Sequence, residues 1–125
     1  MILVDTSVWV DHLRSGDAQL VALLEHGGVA MHPFVVGEIA CGSLTHRVAI
    51  LELLRELPAA SVAESEEVLG FIERHALHGK GIGYVDVHLL ASVALTPGAR
   101  LWTRDKRLQA AAEDLACAYQ DTSSH

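Results

Sequence analysis

The sequence predicts an α/β fold in which a mainly parallel sheet carries helices on both faces. Short apolar runs begin at Ile2, Val29 and Leu101, and each is followed by a segment in which apolar residues recur with helical spacing. Strands that alternate with amphipathic helices pair in parallel, because each helix returns the chain to the starting end of the sheet. A chain of 125 residues suits one domain with a single core.

Cap and turn residues set the limits of the elements in the first part of the chain. Asp5 follows the first apolar run and precedes two small hydroxyl residues, which is typical of a strand that hands over to a helix. Gly27 and Gly28 end the second helix, and Pro33 suits the first position of the third. The predicted order is a strand at 2–4, helices at 8–13 and 18–25, a strand at 29–31 and a helix at 34–41.

The second part of the chain repeats the alternation. Val48, Leu51 and Leu54 belong to a wide apolar face that ends at Pro58, and three glycines between 79 and 83 mark a loop. The predicted order is a helix at 45–57, a short strand at 60–62, helices at 65–75 and 84–95, a strand at 100–103, a helix at 106–115 and a closing strand at 116–119. Residues 120–125 form a polar tail that is expected to fray.

Composition narrows the class of protein. Half of the residues are hydrophobic, which excludes a disordered chain, and no run approaches the ~20 apolar residues of a membrane span. Asp5 comes too early for a signal peptide, so we expect a soluble, cytoplasmic protein without membrane contact. Cys41 and Cys117 form no Cys-x-x-Cys pair and are predicted to be reduced thiols.

The formal net charge of -7 argues against a nucleic-acid partner, because phosphate binding normally rests on Lys and Arg. Clustered carboxylates change this interpretation if they bind divalent cations, since each cation brings two positive charges to the place of a phosphate. Net charge alone therefore does not exclude RNA as a substrate.

Two candidate site residues follow predicted strands. Asp5 and Asp105 lie where the carboxyl ends of parallel strands meet, which is the edge at which ligands collect in such sheets. Each of them is explained equally well as the N-cap of the next helix. Taken singly, neither residue establishes a site.

Two further acids interrupt apolar patterns. Glu38 falls on the stripe that Phe34 and Val35 begin, and Asp86 opens the apolar face of the helix at 84–95. Capping is the competing explanation for Asp86, which stands near a helix N-terminus. A carboxylate on an apolar face needs a cation, a proton or the mouth of a cleft, so both acids indicate a site.

Four converging carboxylates would repel one another unless a cation were bound. Oxygen ligands without a thiolate or histidine match Mg²⁺, with Mn²⁺ as a substitute, whereas zinc favours other residues. His32 and His88 are close in sequence to the proposed site and are candidates for RNA contact, although a surface or capping role is favoured for both.

Four segments of the chain carry a family resemblance, and they are Ile2–Trp9 (ILVDTSVW), Val36–Gly42 (VGEIACG), Asp86 with residues 89–92 (LLAS), and Leu101–Asp105 (LWTRD). They resemble segments of the PIN-domain ribonuclease toxins of the VapC family, and the resemblance extends over essentially the whole chain. Any one of these matches is weak by itself. All four in this order make the resemblance specific.

The resemblance implies a three-layer α/β/α PIN-like domain over residues 1–125 and Mg²⁺-dependent endoribonuclease activity on a structured RNA such as tRNA or rRNA. It also implies a homodimer and a VapB-type antitoxin partner. The acids of the family, which act in catalysis and metal binding, map onto Asp5, Glu38, Asp86 and Asp105. Thr6, Ser7 and Thr103 match small hydroxyl positions that would orient a carboxylate or a water, although helix capping explains them equally well.

The chemistry implied is phosphodiester hydrolysis by metal-activated water, in a toxin of a type II toxin-antitoxin pair. The three aspartates of the set would hold the metal, and Glu38 would ligate it or orient the water. The basic residues beside the last aspartate are candidate RNA contacts, with a solvated helix surface as the alternative. They are Arg104, Lys106 and Arg107.

Two other classes of protein remain as alternatives. A phospho-receiver domain has a similar size and an acidic pocket. A chain that resembles this class would have a pair of acids after the first strand and a lysine after a late strand. This chain has one acid at Asp5, and Trp102-Thr103 is followed by Arg104-Asp105. The third interpretation is a binding module without catalytic activity. It applies only if the protein does not bind a metal ion.

Overall fold

The computed structural model describes residues 1–122, and its centre is a parallel sheet of three short strands. The strands are β1 (Ile2–Val4), β2 (Val29–Ala30) and β3 (Arg100–Trp102), in the spatial order β2-β1-β3. Leu3 of the central strand is in register with Ala30 on one side and Leu101 on the other. Because both pairings are parallel, the carboxyl ends of all three strands lie at the same edge of the sheet. The predicted α/β class is confirmed.

Seven helices surround this sheet in the described part of the chain. They are α1 (Thr6–Ser15), α2 (Ala18–Glu25), α3 (Pro33–Ala40), α4 (Arg47–Glu56), α5 (Ser65–Arg74), α6 (Tyr84–Leu95) and α7 (Lys106–Asp114). The bounds of α2 and α6 are those predicted, and α1 begins two residues earlier because Asp5 caps it. No strand forms at 60–62, and the nearest pairing is a single parallel bridge between Met31 and Ala59. The strand predicted at 116–119 is reduced to a single parallel bridge between Leu101 and Ala118.

The core lies around the central strand. Leu3 and Val4 of β1 and Trp102 of β3 are fully buried. In α6 the seven consecutive residues from Val87 to Val93 are buried, so this helix is enclosed on all sides. The sequence predicted one apolar face for α6, whereas the structure buries residues on every side of its middle part. The burial of α6 matters for function, because its first turn carries Asp86.

Helix α4 departs from the sequence prediction in the opposite direction. Of its wide apolar face only Leu54 is buried, whereas Val48 is 72% exposed and Leu53 is 64% exposed. Cys41 and Cys117 are free thiols, as expected. None of the helices in residues 1–122 has the length and apolarity needed to span a bilayer.

The beginning of the predicted polar tail is tied to the rest of the molecule. The Gln19 side-chain Nε2 donates to the carbonyl oxygen of Gln120 over 3.0 Å, and its Oε1 accepts from the amide and the hydroxyl of Thr122. Asp121 forms an ion pair with Arg104. These contacts connect residues 120–122 to α2 and to Arg104, and the remainder of the predicted tail, 123–125, lies outside the described residues.

Candidate active site

Asp5 is a buried carboxylate at the end of β1, and it is 6% exposed. Its Oδ2 accepts hydrogen bonds from the Ser7 hydroxyl over 2.7 Å and from the Thr103 hydroxyl over 2.8 Å. The Ser7 amide lies 3.4 Å from the same oxygen and caps α1. The capping and site interpretations are therefore compatible, because all three donors use one oxygen and the other stays available. Two of the predicted hydroxyl residues hold the carboxylate in place.

Glu38 lies on α3, and its Oε1 accepts a hydrogen bond of 2.7 Å from the Thr6 hydroxyl at the start of α1. The buried face of α3 is formed by Val35 and Ile39, so Glu38 lies beside that face and is exposed. The prediction that Glu38 lies on the apolar stripe of α3 is wrong. Phe34, which lies four residues earlier on the same side of the helix, is itself 37% exposed, so this side of α3 is not the buried one. Of the alternatives for this acid, the structure selects the open position at the mouth of a cleft.

Asp86 is the third residue of α6, and its Oδ2 accepts the Gly83 amide over 3.1 Å. Burial raises the pKa of Asp86, and the Gly83 hydrogen bond lowers it. The charges of the other three acids raise it further, so its pKa lies above the ordinary value. This repulsion shows that the four predicted acids share one electrostatic environment. They are Asp5, Glu38, Asp86 and Asp105.

Asp105 caps α7 in the manner expected of a strand-to-helix junction. Its Oδ1 accepts the amides of Arg107 and Leu108, both over 2.9 Å. Its own amide donates to the Thr103 hydroxyl over 3.1 Å, and that hydroxyl in turn donates to Asp5. The two strand-end aspartates are thus linked through one buried threonine.

Each of the four acids commits one carboxylate oxygen to the protein. The second oxygens accept no hydrogen bond from residues 1–122, and they are Asp5 Oδ1, Glu38 Oε2, Asp86 Oδ1 and Asp105 Oδ2. Four carboxylates with one uncommitted oxygen each form a donor set that suits a hard divalent cation.

The side chains do not form a closed metal cage. Within residues 1–122 no three His, Cys, Asp or Glu side chains are close enough together to make a ready group of ligands. Mg²⁺ does not need such a group, since it usually keeps several waters and takes only one or two carboxylates together with substrate phosphates. The donor set therefore fits Mg²⁺ or Mn²⁺ held partly through water, and it does not fit a structural zinc site.

The three predicted RNA contacts differ in their surroundings. The Arg104 guanidinium binds three carboxylates of the protein and its side chain is 15% exposed, so the structure does not present it to a phosphate. Lys106 and Arg107 are exposed at the start of α7. A Cβ on Gly81 would come within 2.6 Å of the Arg107 guanidinium, which therefore lies across the loop before α6. A role of these two residues in RNA contact stays a prediction.

His32 and His88 are both buried, so a surface role is excluded for them. His32 ends the extended segment after β2 and caps α3, its Nδ1 accepting the Phe34 amide over 3.0 Å. Its ring centre lies 6.2 Å from that of His88. Burial lowers the pKa of His32, and the neighbouring His88 lowers it further, to about 4. A neutral ring is required here, because only an unprotonated Nδ1 can accept the capping hydrogen bond.

A groove of about 680 Å³ opens beside Glu38. Its walls come from α1, α3 and the segment that leads into α4, and they include Val10, Leu13, Ile39 and Leu44. This groove, whose lining is partly apolar and partly polar, borders Glu38 on the side of α3.

Sequence reasoning missed the aspartates around Arg104, which are Asp11, Asp17 and Asp121. No periodic spacing connects these positions to Arg104. Only the meeting of α1, the turn before α2 and the C-terminal segment brings them together.

Comparison with known proteins adds a family and a fold. The family model described as PIN domain matches residues 2–114. The chain is 50% identical over 124 residues to Ribonuclease VapC32 of Mycobacterium tuberculosis, in strains CDC 1551 and H37Rv, and the match covers 99% of this chain and 100% of the relative. A crystal structure of FitAcB from Neisseria gonorrhoeae has a TM-score of 0.60 and 24% identity, covering 90% of this chain and 94% of that one. At this identity the likeness shows a common fold.

Proposed function

The chain belongs to the PIN-domain family, in its VapC group of ribonuclease toxins, and from that premise we propose that it hydrolyses RNA with Mg²⁺ at the four acids. The observation that carries the proposal is the grouping of these acids, since burial and then the charges of Asp5, Asp105 and Glu38 raise the pKa of Asp86. The guanidinium of Arg104, the residue next to Asp105 in the chain, binds other carboxylates. A divalent ion would relieve the repulsion and provide the charge that a phosphate requires.

When bound, the cation would withdraw charge from the scissile phosphate and lower the pKa of an attacking water. The residues of the chain prepare this step by fixing the carboxylates. The hydroxyls of Ser7 and Thr103 donate hydrogen bonds to one oxygen of Asp5. These bonds restrict rotation of the Asp5 side chain and so fix the direction of its other oxygen. Asp86 and Asp105 would complete the set of ligands, each fixed by backbone amides. Glu38, held by Thr6, would ligate the ion or orient the water.

We propose a structured RNA such as tRNA or rRNA as the substrate. The net charge of -7 makes general electrostatic attraction to RNA weak, so binding must depend on local groups. Lys106 and Arg107 are exposed next to Asp105 in the chain and would contact phosphates, although two basic residues are few. Recognition would then rest on the shape of the RNA and on the bound cation more than on a basic surface.

We also propose two protein partners. The relatives make a VapB-type antitoxin the expected partner, and the groove beside Glu38 offers apolar area next to the site. A homodimer is the expected state of the free toxin. The exposed side chains of Val48 and Leu53 on α4 are apolar surface that a second copy would cover.

The proposed function is tested by RNA cleavage under controlled metal conditions. Purified protein is incubated with end-labelled tRNA and rRNA in Mg²⁺, in Mn²⁺ and in excess chelator. We expect cleavage with either metal, its loss in chelator and its return when Mg²⁺ is added back. Cleavage that persists in chelator would contradict the metal mechanism. A protein that cuts no RNA with either metal would instead favour the binding-module alternative.

Replacing Asp86 with asparagine is expected to stabilise the metal-free protein while reducing cleavage. The raised pKa of Asp86 means that the folded state binds its proton more tightly than the unfolded state does. Stability is therefore lost as the pH rises from the unfolded pKa through the folded pKa, and the loss persists at neutral pH. An asparagine removes this penalty, and its side-chain oxygen still accepts the Gly83 amide.

The measurement is thermal denaturation at neutral pH with and without Mg²⁺. Without metal, the Tm of Asp86→Asn should exceed that of the wild type, whereas added Mg²⁺ should raise the wild-type Tm more than that of the variant. The matched control is Asp114→Asn at the exposed end of α7. A lower Tm for metal-free Asp86→Asn would rule out the repulsion on which the site is argued.

A further inference from the structure

Arg104 stands in the chain between two residues of the candidate site, but its side chain points to a different group of acids. It forms ion pairs of 2.9 Å with Asp11, 2.5 Å with Asp17 and 2.9 Å with Asp121. We call Arg104 and these three aspartates the Arg104 clasp. Its guanidinium carbon also lies 5.6 Å from the centre of the Trp102 ring. One cation thus binds three carboxylates from separate parts of the chain.

Three of the four clasp side chains are largely shielded from solvent, whereas that of Asp11 is 48% exposed. The side chain of Arg104 is 15% exposed, and those of Asp17 and Asp121 are 10% and 18% exposed. Burial lowers the pKa of Arg104, but the hydrogen bonds to the clasp aspartates outweigh it and raise this pKa above its ordinary value. Burial likewise raises the pKa of Asp17, yet its hydrogen bonds leave it below the ordinary value. Both partners are therefore held in their charged forms.

The backbone of Arg104 touches the candidate site directly. Its amide donates to the Ser7 hydroxyl over 3.0 Å, and that hydroxyl donates to Asp5. The residues on either side of Arg104 are Thr103, which also donates to Asp5, and Asp105. A displacement of the Arg104 backbone would thus disturb two of the proposed ligands at once.

The three clasp aspartates come from elements that border the site. Asp11 lies on α1, Asp17 caps α2 and Asp121 belongs to the C-terminal segment. The last of these is held in place by the contacts of Gln19 with Gln120 and Thr122. The clasp therefore ties the turn after β3 to α1, to α2 and to the end of the chain.

We propose that Arg104 is a positioning residue, whose clasp fixes the turn 103–105 and thereby the orientation of Asp5 and Asp105 toward the metal. This role rests on the proposed function, since it assigns the clasp to the same site. It replaces the role of RNA contact that the position of Arg104 in the sequence had suggested. Residues that orient metal ligands from outside the metal shell typically change metal affinity or activity by 10- to 100-fold when they are removed, roughly the range expected here.

A variant that removes the charge of Asp121 distinguishes a positioning role of Arg104 from a role in RNA contact. Asp121→Asn removes a negative charge from an acidic protein, so a general electrostatic effect would strengthen RNA binding. The loss of one clasp bond predicts the reverse, a weaker metal site and a lower kcat. Arg104→Met removes the whole clasp, and the positioning role predicts a lower kcat with little change in KM. An RNA contact predicts mainly a higher KM.

The test compares Arg104→Met and Asp121→Asn with two matched controls that remove the same charges elsewhere. The controls are Arg55→Met on α4 and Asp114→Asn at the end of α7, both exposed positions. Mn²⁺ affinity is measured from the paramagnetic resonance signal of free Mn²⁺, at a temperature at which every variant is folded. We expect roughly tenfold weaker Mn²⁺ binding for Arg104→Met, a smaller loss for Asp121→Asn and none for the controls. If Arg104→Met does not fold, the milder Asp121→Asn carries the comparison.

A second readout requires no metal and no RNA. The amide of Asp105 donates to Thr103, and its hydrogen exchange should become faster in both clasp variants than in the controls. Folded clasp variants with wild-type Mn²⁺ affinity, kcat and exchange would overturn the proposal. If the wild type itself neither binds Mn²⁺ nor cuts RNA, the proposed function fails, and unchanged exchange at Asp105 in Arg104→Met would separately overturn the clasp.

Discussion

Replacing Asp5 with asparagine is expected to lower kcat/KM for RNA cleavage by roughly 100- to 1,000-fold, since a metal ion contributes several kcal/mol and about 1.4 kcal/mol is worth tenfold in rate. Asparagine is nearly isosteric, and its oxygen can still accept from Ser7 and Thr103. What the variant loses is the negative charge at the end of β1. The effect should therefore fall on metal binding and catalysis and not on the fold.

The measurement is kcat/KM on an RNA that the wild type cuts, together with the Tm of the metal-free variant. Asp114→Asn serves as the control, because it removes the same charge from an exposed position far along α7. The metal-free Tm of Asp5→Asn should be no lower than that of the control, whereas its activity should be far lower. An Asp5→Asn enzyme with wild-type kcat/KM would remove Asp5 from the catalytic set.

Acidification is expected to destabilise the protein through His32, by roughly 3 kcal/mol when the pH falls from neutral to below the folded pKa. The pKa of His32 lies at about 4 in the folded protein against 6.5 for an ordinary histidine, because burial and His88 disfavour the charged ring. Between these two values the unfolded chain takes up a proton that the folded chain does not. Stability is thus present above the unfolded pKa and is lost as the pH falls toward the folded one.

The measurement is the free energy of unfolding in urea at several pH values between about 4 and 7, the window in which this histidine titrates. The test variant is His32→Asn, since asparagine is a good N-cap and does not titrate. It should be less stable at neutral pH, because the ring leaves a cavity, but its stability should depend less on pH. The exposed His78→Asn should keep the wild-type pH dependence, and a wild-type slope in His32→Asn would exclude His32 as the source.

The prediction of the fold succeeded because short apolar runs alternate with segments of helical periodicity over nearly the whole chain. The bounds of α2 and α6 could be read directly, since Asp17, Gly83 and their neighbours end the preceding turns clearly. The prediction was less good where burial was inferred from hydrophobicity alone. Leu53 and Val48 of α4 are apolar and exposed, because periodicity gives the face of a helix but not what covers it.

The candidate site was predictable in part for the same reason. Asp5 and Asp105 follow strands, so a parallel sheet necessarily brings them to one edge. Glu38 was selected on an argument that the structure corrects, because it lies beside the buried face of α3 and not on it. The hydroxyls of Thr6, Ser7 and Thr103 could be named but not assigned to partners.

The sequence by itself determined the class of fold, the order of its elements, the resemblance to PIN-domain toxins and the identity of the four acids. Each of these is a local property, fixed by residue type and spacing along a short segment. Only the tertiary structure decided which carboxylate oxygens remain uncommitted and which charges raise the pKa of Asp86. Only the tertiary structure shows that the Arg104 side chain binds Asp17 and Asp121. Contacts between residues far apart in the chain depend on how the helices pack, and they leave no periodic signal in the sequence.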